Sequence, residues 1–175
     1  LSRGLGDVYK RQIKNDRLKI EKFTISDAFF WSKIDSNPKV RHFVDGKKQT
    51  YSQSVAYIKK NISSYENIGF GRYIVRLRKN NEVIGMCGYL EENYGIDFGY
   101  RYNPSVWGKG IGFEVAKLVL KSGIKDLKFQ KIYALSHIEN YGSIRILEKL
   151  NFKKQDMIVI NSQHAILFVL KVERN

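Results

Sequence analysis

The chain has 175 residues, of which 43% are hydrophobic, so it is long enough to bury one substantial core but short for two full-sized domains. No run approaches the about 20 apolar residues of a membrane-spanning helix, and no basic-then-apolar signal segment opens the chain, so we expect a soluble, cytoplasmic protein. The formal charge of +14 comes from basic residues scattered along the chain, and this scatter argues against a nucleic-acid interface.

Residues 1–12 differ from the rest of the chain because they show no amphipathic period and resemble translated adaptor sequence. We therefore expect a non-native or disordered leader over residues 1–12 and one folded domain over residues 13–175. No internal repeat, linker or low-complexity segment divides that stretch.

The cysteine and histidine content argues against a metal site. Cys87 is the single cysteine and lies in an apolar run, so no intramolecular disulfide forms and we expect a buried, unreactive thiol. The histidines, His42, His137 and His164, are far apart in sequence and lack ligand spacing. We therefore expect no metal.

The N-terminal part of the domain predicts one strand and two helices. Residues 17–23 alternate apolar and charged side chains, which predicts a half-buried strand. Ser26 precedes an acid and an apolar run, so we expect it to cap a first helix that Pro38 ends. Thr50 and Gln53 form a capping box for a second helix, to about residue 64.

The remaining elements indicate an α+β fold. Strands are predicted at residues 73–77, 82–90, 96–102, 131–136, 157–160 and 165–172, and helices at 110–123 and 141–150. The first three of these strands are separated by short polar turns, which favours antiparallel pairing. Together with the N-terminal part, the pattern predicts a mixed sheet of about seven strands with about four helices.

A glycine-rich loop lies where a strand turns into a helix. Residues 107–112 read WGKGIG, with glycines at alternate positions, and a helix start offers unpaired N–H groups and a partial positive charge. This combination predicts an anion cradle, although a glycine-rich turn without a ligand has the same pattern. A Walker loop would need a hydroxyl residue where Gly110 stands, and a dinucleotide fingerprint would need glycine at Phe113.

Several motifs together resemble the GNAT acetyltransferase superfamily, and specifically its ribosomal-protein N-acetyltransferase (Rim-type) branch. They are DFGY at 97–100, Pro104, WGKGIG at 107–112 and NYGSIRILEKLNF at 140–152, with RL at 17–18, SDA at 26–28 and NP at 37–38. The resemblance covers residues 17–172. One departure is Asn151 where the family has glycine, and asparagine tolerates the same left-handed conformation.

The resemblance implies a GNAT-like fold that binds acetyl-CoA where strands four and five splay apart. The loop would hold the pyrophosphate through backbone amides, and the strand before it would pair with the pantetheine arm through its main chain. Arg145 would meet a phosphate, or else form an exposed ion pair. The residues expected to bind the cofactor are Tyr100, Tyr102, Trp107, Gly108, Lys109, Gly110, Ile111, Gly112, Asn140 and Arg145.

The resemblance also implies catalytic residues. Leu147 replaces the tyrosine that protonates the leaving thiolate in many GNAT enzymes, and Ser143 is expected to serve instead, although a serine there equally suits a helix cap. Asp97 is expected to draw the proton of the amine through a water, or else to be a surface aspartate paired with a lysine. Glu91 and Glu92 are fallback bases.

The expected activity is acetyl transfer from acetyl-CoA to a primary amine, by a monomer or homodimer. The acceptor is a peptide N-terminus, polyamine, amino acid or aminoglycoside, and nucleic acid is expected only through a ribosomal substrate. Nearby acids (Asp27, Asp35 and Asp45) do not decide among these acceptors. His42 lies where the family shapes its acceptor site. The alternative is a non-catalytic acyl-CoA-binding or RNA-associated module.

Overall fold

The structure is a computed structural model that describes residues 13–173. The predicted leader, residues 1–12, lies outside the described residues. Within residues 13–173 no helix is long and apolar enough to cross a membrane.

The secondary structure alternates between strands and helices as an α+β fold requires. The strands are β1 (Ile13–Lys14), β2 (Leu18–Lys22), β3 (Arg72–Leu77), β4 (Val83–Glu92), β5 (Gly95–Tyr102), β6 (Lys131–His137), β7 (Lys153–Ile160) and β8 (Gln163–Lys171). The helices are α1 (Ala28–Asp35), α2 (Pro38–Arg41), α3 (Tyr51–Asn67), α4 (Ile111–Lys125) and α5 (Tyr141–Lys149), with 3-10 turns at Ile25–Asp27 and Pro104–Val106.

All eight strands form one mixed, mostly antiparallel sheet in the order β1-β2-β3-β4-β5-β6-β8-β7. This confirms the predicted fold class. The described residues contain one strand more than expected because Ile13 pairs with Ile20, and one α-helix more because Pro38 opens the short helix α2 instead of ending α1. Proline suits the first position of a helix because its missing N–H is not needed there.

The helix caps show where local sequence signals were sufficient. Thr50 and Gln53 form the predicted capping box at the start of α3. The prediction that Ser26 caps the first helix is wrong. Thr24 caps the preceding 3-10 turn in a capping box with Asp27, which also stands at the N-cap position of α1. Thr24 and not Ser26 is the cap because Thr24 lies three residues before an acid, the spacing that a reciprocal cap requires.

Helices cover both faces of the sheet and enclose two apolar clusters. On one face α4 and α5 pack on β4, β5 and β6, with Phe98, Val115 and Leu147 fully buried. On the other face α1 and α3 cover β3 and β4, with Trp31 and Ile58 fully buried. Residues on β5 therefore alternate between the two layers.

The sheet opens between β5 and β6, the only parallel pair in the described sheet. β5 pairs with β4 along its whole length, from Gly95 to Tyr102, but it pairs with β6 only where Asp97 faces Tyr133. Beyond Asp97 the side of β5 that faces β6 has no strand partner among residues 13–173. These strands are the fourth and fifth of the sequence prediction, so the predicted splay is confirmed.

Asn151 ends α5 in a left-handed conformation, with φ of 66°. Its N–H donates to Glu148 O and the N–H of Phe152 donates to Leu147 O, which is the Schellman arrangement.

We expect Asn151→Gly to change the free energy of unfolding by less than about 0.5 kcal/mol. Asn151→Val is expected to lower it by about 1–2 kcal/mol, because a β-branched residue pays the full left-handed strain. Urea denaturation of both variants checks this, and equal stability of the two would contradict it.

Candidate active site

The glycine loop at residues 107–112 joins the 3-10 turn to the start of α4. Gly108 and Gly110 have φ of 71° and 74°, and a Cβ added to either would meet no atom within 4 Å. Gly110 is the N-cap of α4. The loop backbone is therefore open at a helix N-terminus, where unpaired N–H groups and the helix dipole favour an anion.

The third glycine of the loop serves packing. A Cβ on Gly112 would lie 2.9 Å from the ring of Tyr102, and the Tyr102 hydroxyl donates a hydrogen bond of 3.1 Å to Gly112 O. Gly112 therefore lets α4 approach β5 closely. The sequence pattern did not separate this role from those of Gly108 and Gly110.

The side chains of the loop fix its shape. The indole N–H of Trp107 donates to Tyr102 O at 2.9 Å, and Lys109 Nζ donates to Ser105 O at 2.7 Å. Ile111 is buried and anchors the first turn of α4 in the core. Lys109 is exposed beside the open backbone, where its charge adds to the positive potential of the helix N-terminus.

Two tyrosines on β5 reach from the splayed strand to the helices on the same face. The rings of Tyr100 and Tyr102 stack with centroids 5.6 Å apart. The Tyr100 hydroxyl lies 3.0 Å from Ser143 O and 3.1 Å from Ser143 Oγ. Burial raises the pKa of Tyr100, although the contact with Ser143 lowers it in part. The phenol therefore stays protonated at neutral pH.

The start of α5 places the other predicted site residues. Asn140 is the cap, because its Oδ1 accepts the backbone N–H of Ser143 at 3.1 Å. The alternative that Ser143 is itself the cap is therefore wrong, and its hydroxyl faces Tyr100 instead. Arg145 is exposed and forms no ion pair with a described carboxylate. Leu147 lies fully in the core, so this position offers no acid.

Asp97 lies at the vertex of the splay, on the face of the sheet that α1 and α3 cover. It is buried and forms an ion pair with Arg72, whose guanidinium also donates to the carbonyl oxygens of Gly88 and Asp97. Tyr94 donates to the other carboxylate oxygen at 3.0 Å. The expected alternative, a surface aspartate paired with lysine, is therefore wrong in both respects. Burial lowers the pKa of Arg72, but the charge and hydrogen bond of Asp97 together with the neighbouring Tyr57 and Cys87 outweigh this and raise it.

The three acids on this face that sequence reasoning left open all contact arginines. Asp35 is buried between Arg41 and Arg101, at 3.2 and 2.7 Å. Arg41 also pairs with Asp45 at 2.5 Å. Asp27 pairs with Arg76 in the same way. The pair of Arg41 with Asp45 has the local i,i+4 spacing, whereas no sequence signal predicted Arg101 for Asp35 or Arg76 for Asp27, because these partners lie 66 and 49 residues away.

His42 and His137 come together although they are distant in sequence. Their rings lie 6.2 Å apart, and Phe43 lies 5.9 Å from His137. Gln163 at the start of β8 donates to His42 O at 3.3 Å. The loop after α2 therefore packs against the C-terminal end of β6, on the open side of the splay. His137 Nδ1 accepts the Glu139 N–H at 3.1 Å, so the neutral ring carries its proton on Nε2.

The donor groups present suit an anionic cofactor better than a metal ion. Among residues 13–173 no three His, Cys, Asp or Glu side chains are close enough to hold a metal ion. The open backbone at Gly108 and Gly110 beside Lys109 fits a pyrophosphate, and the unpaired side of β5 fits an amide-bearing chain. The residues therefore fit coenzyme A.

Comparison with known proteins identifies the class. The acetyltransferase (GNAT) domain family matches residues 17–153, so the chain belongs to the GNAT acetyltransferases, which use acetyl-CoA. It is 26% identical over 150 residues to the uncharacterised N-acetyltransferase p20 of Bacillus licheniformis, covering 82% of this chain and 83% of that protein. Membership makes the protein an enzyme and argues against the non-catalytic alternative.

Two solved structures show that the fold leaves the acceptor open. Ribosomal-protein-S5-alanine acetyltransferase of Vibrio fischeri superposes with a TM-score of 0.79 at 16% identity, covering 93% of this chain and 97% of that chain. Spermidine N-acetyltransferase of Vibrio cholerae superposes with a TM-score of 0.76 at 20% sequence identity, covering 90% of this chain and 96% of that chain. At these identities the likeness is one of fold alone.

A side chain at Gly110 should occupy the space that the cradle keeps open. We expect Gly110→Ala to raise the Kd of coenzyme A by about 10-fold, because one lost amide contact to a charged group is worth about that factor. Isothermal titration measures it. Gly46, in the loop after α2 and outside the loop at residues 107–112, has a similar φ of 68°, so Gly46→Ala controls for backbone strain and should leave the Kd unchanged. Equal effects of the two variants would contradict a cradle at Gly110.

The buried thiol of Cys87 should not react with thiol reagents in the folded protein. Burial raises the pKa of Cys87 to about 12, although Arg72 and Tyr102 lower it in part. At pH 8 about one thiol in ten thousand is ionised, and the thiolate is the reactive form. We expect no labelling of the native protein by a disulfide reagent and one labelled thiol per chain in urea. Labelling at equal rates in both states would contradict this.

Proposed function

We propose that the protein transfers the acetyl group of acetyl-CoA directly to the α-amine of a peptide, as the Rim-type branch does, or to a small molecule with one amine. The observation that carries the proposal is the splay between β5 and β6, which has the glycine loop at one end and Asp97 at its vertex. A cofactor held in this gap would present its acyl group to the face that α1 and α3 cover.

The cofactor would be bound mainly by backbone. The amides of the loop at residues 107–112 would take the pyrophosphate, with Trp107, Lys109 and Ile111 holding the loop in shape. The main chain of Tyr100, and that of Tyr102 whose carbonyl oxygen also accepts the Trp107 indole N–H, would pair with the pantetheine amides. Asn140 would lie beside the same arm, and the exposed Arg145 would meet a phosphate.

Charge balance on the acceptor side favours an acceptor with one amine over a polyamine. Carboxylates that bind a polycation must be free to pair with it, whereas Asp27, Asp35 and Asp45 already pair with arginines. The loop after α2 also presents exposed Lys47 and Lys48. A second positive charge on the acceptor would meet like charges there, and this costs affinity.

Three groups around the vertex would carry the chemistry. Asp97 would accept the proton of the amine through a water, because attack requires the neutral amine. Backbone N–H groups near residues 98–100 would stabilise the negative charge that develops on the carbonyl oxygen. Ser143 would donate to the sulfur as the carbon–sulfur bond breaks. Removing Ser143 is expected to lower kcat more than it raises KM.

The acceptor is tested by release of coenzyme A thiol across a panel of peptides starting with alanine or serine, spermidine, amino acids and aminoglycosides. We expect peptide α-amines to have kcat/KM values at least about 10-fold above spermidine, which corresponds to one unfavourable charge contact. N-terminally blocked peptides serve as the control and should release nothing.

Two outcomes would contradict the proposal. Preference for spermidine would assign the enzyme to polyamines, and Glu139→Gln would then test whether that exposed acid beside His137 binds the second amine. Saturable binding of coenzyme A without release from any acceptor would remove the proposed reaction altogether.

A further inference from the structure

A phenol crosses the splay to the serine proposed to act on the leaving sulfur. We infer that Tyr100 is a positioning residue for Ser143, a role that rests on the proposed function, in which Ser143 acts in place of the tyrosine missing at Leu147. The assignment depends on a contact between side chains 43 residues apart, one on β5 and one on the first turn of α5.

The geometry holds Ser143 from two sides. Asn140 Oδ1 accepts its backbone N–H at 3.1 Å, and the Tyr100 hydroxyl donates to its carbonyl oxygen at 3.0 Å and lies 3.1 Å from its Oγ. The position of Ser143 is thus set by the helix cap and by β5 together. The remaining freedom is the rotation of its hydroxyl, which decides where its proton points.

Tyr100 has one proton, which its hydroxyl donates either to Ser143 O or to Ser143 Oγ. When the proton turns from the carbonyl oxygen to Ser143 Oγ, Tyr100 controls that rotation. An oxygen that accepts one hydrogen bond is the better donor of another, because chains of hydrogen bonds polarise one another. As the new carbon–nitrogen bond forms, the carbon–sulfur bond breaks and its electron pair goes to sulfur. Ser143 then donates a hydrogen bond to this thiolate, the proton of the amine passes to the base, and Tyr100 keeps its own proton.

The neighbouring phenols do not offer the same function. Tyr102 stacks beside Tyr100, but its hydroxyl donates to Gly112 O. Tyr89 is buried in the same layer and donates to Val119 O at 2.9 Å, away from the splay. Leu147 is apolar and lies in the core. Among the phenols of this layer, Tyr100 alone contacts Ser143 in the described structure.

A double-mutant cycle tests the coupling. We expect Tyr100→Phe to lower kcat by about 10-fold with KM for acetyl-CoA unchanged, because one hydrogen bond acting on a charged group is worth about that factor. In a Ser143→Ala background the same change should cost less than about 2-fold, because its target is gone. Tyr89→Phe removes an equivalent buried phenol and should leave kcat as in the wild type.

A second readout needs no turnover. The ultraviolet absorbance of the thiolate gives the pKa of the thiol of bound coenzyme A, which a donor to the charged form lowers. We expect Tyr100→Phe and Ser143→Ala each to raise this pKa above that of the wild-type complex, and Tyr89→Phe to leave it unchanged.

The outcomes separate this inference from the proposed function. Equal losses of kcat from Tyr100→Phe with and without Ser143, or an unchanged thiol pKa, would overturn the positioning role while the acetyltransferase activity stands. A rise of KM with unchanged kcat would make Tyr100 a cofactor contact only. If the wild type turned over no acceptor, the proposed function would fail, and the thiol pKa would still report on the contact between Tyr100 and Ser143.

Discussion

One parallel pair of residues, Asp97 and Tyr133, joins the two halves of the sheet, and everything proposed for the site depends on where this pairing stops. Arg72 fixes the place where β5 stops pairing with β6, and it does so from the face of the sheet that α1 and α3 cover. Its guanidinium contacts Asp97 and Gly88 on neighbouring strands, and it occupies the space a side chain at Gly99 would need, since a Cβ there would lie 2.7 Å from the guanidinium. Burying such a pair costs several kcal/mol of desolvation per ion, which offsets the attraction between the charges. The main effect of the Arg72–Asp97 pair is therefore to fix the geometry of the strands and not to stabilise the fold.

Other ion pairs between acids and arginines lie on the face of the sheet that α1 and α3 cover, where the acceptor is proposed to bind. A chain with a formal charge of +14 has few acids, and Asp27 and Asp35 near the splay both pair with arginines. Asp35 links α1 to Arg41 at the end of α2 and to Arg101 on β5, so the helical layer and the strand are held in one arrangement. The proposed acceptor surface therefore contains ion pairs and few free carboxylates, which is the reason for proposing an acceptor with one amine.

Sequence reasoning succeeded where the signal was local and failed where partners were distant. The periodic elements, the Thr50 capping box, the glycine loop and the left-handed Asn151 all depend on residues within one turn of each other. The expected cap at Ser26 failed because two hydroxyl residues compete there, and only Thr24 has an acid at the right spacing. Arg72, which pairs with Asp97, and Tyr100, whose hydroxyl contacts Ser143, lie 25 and 43 residues from these partners, and no pattern in the sequence predicts either contact.

The ion pair at the vertex limits how Asp97 can act as a base. If Asp97 held the proton of the amine, Arg72 would become an uncompensated buried charge, and breaking such a pair costs about 3–5 kcal/mol. Asp97 is therefore better suited to orient a water that carries the proton onward than to keep it. Glu91 and Glu92 lie on the paired strand β4 next to this vertex and are exposed. Glu92 lies two residues from Leu90, the partner of Asp97, and so shares its face of the sheet, whereas Glu91 points to the other face. Of the two fallback bases, Glu92 is therefore the one placed to pass the proton of such a water on to solvent.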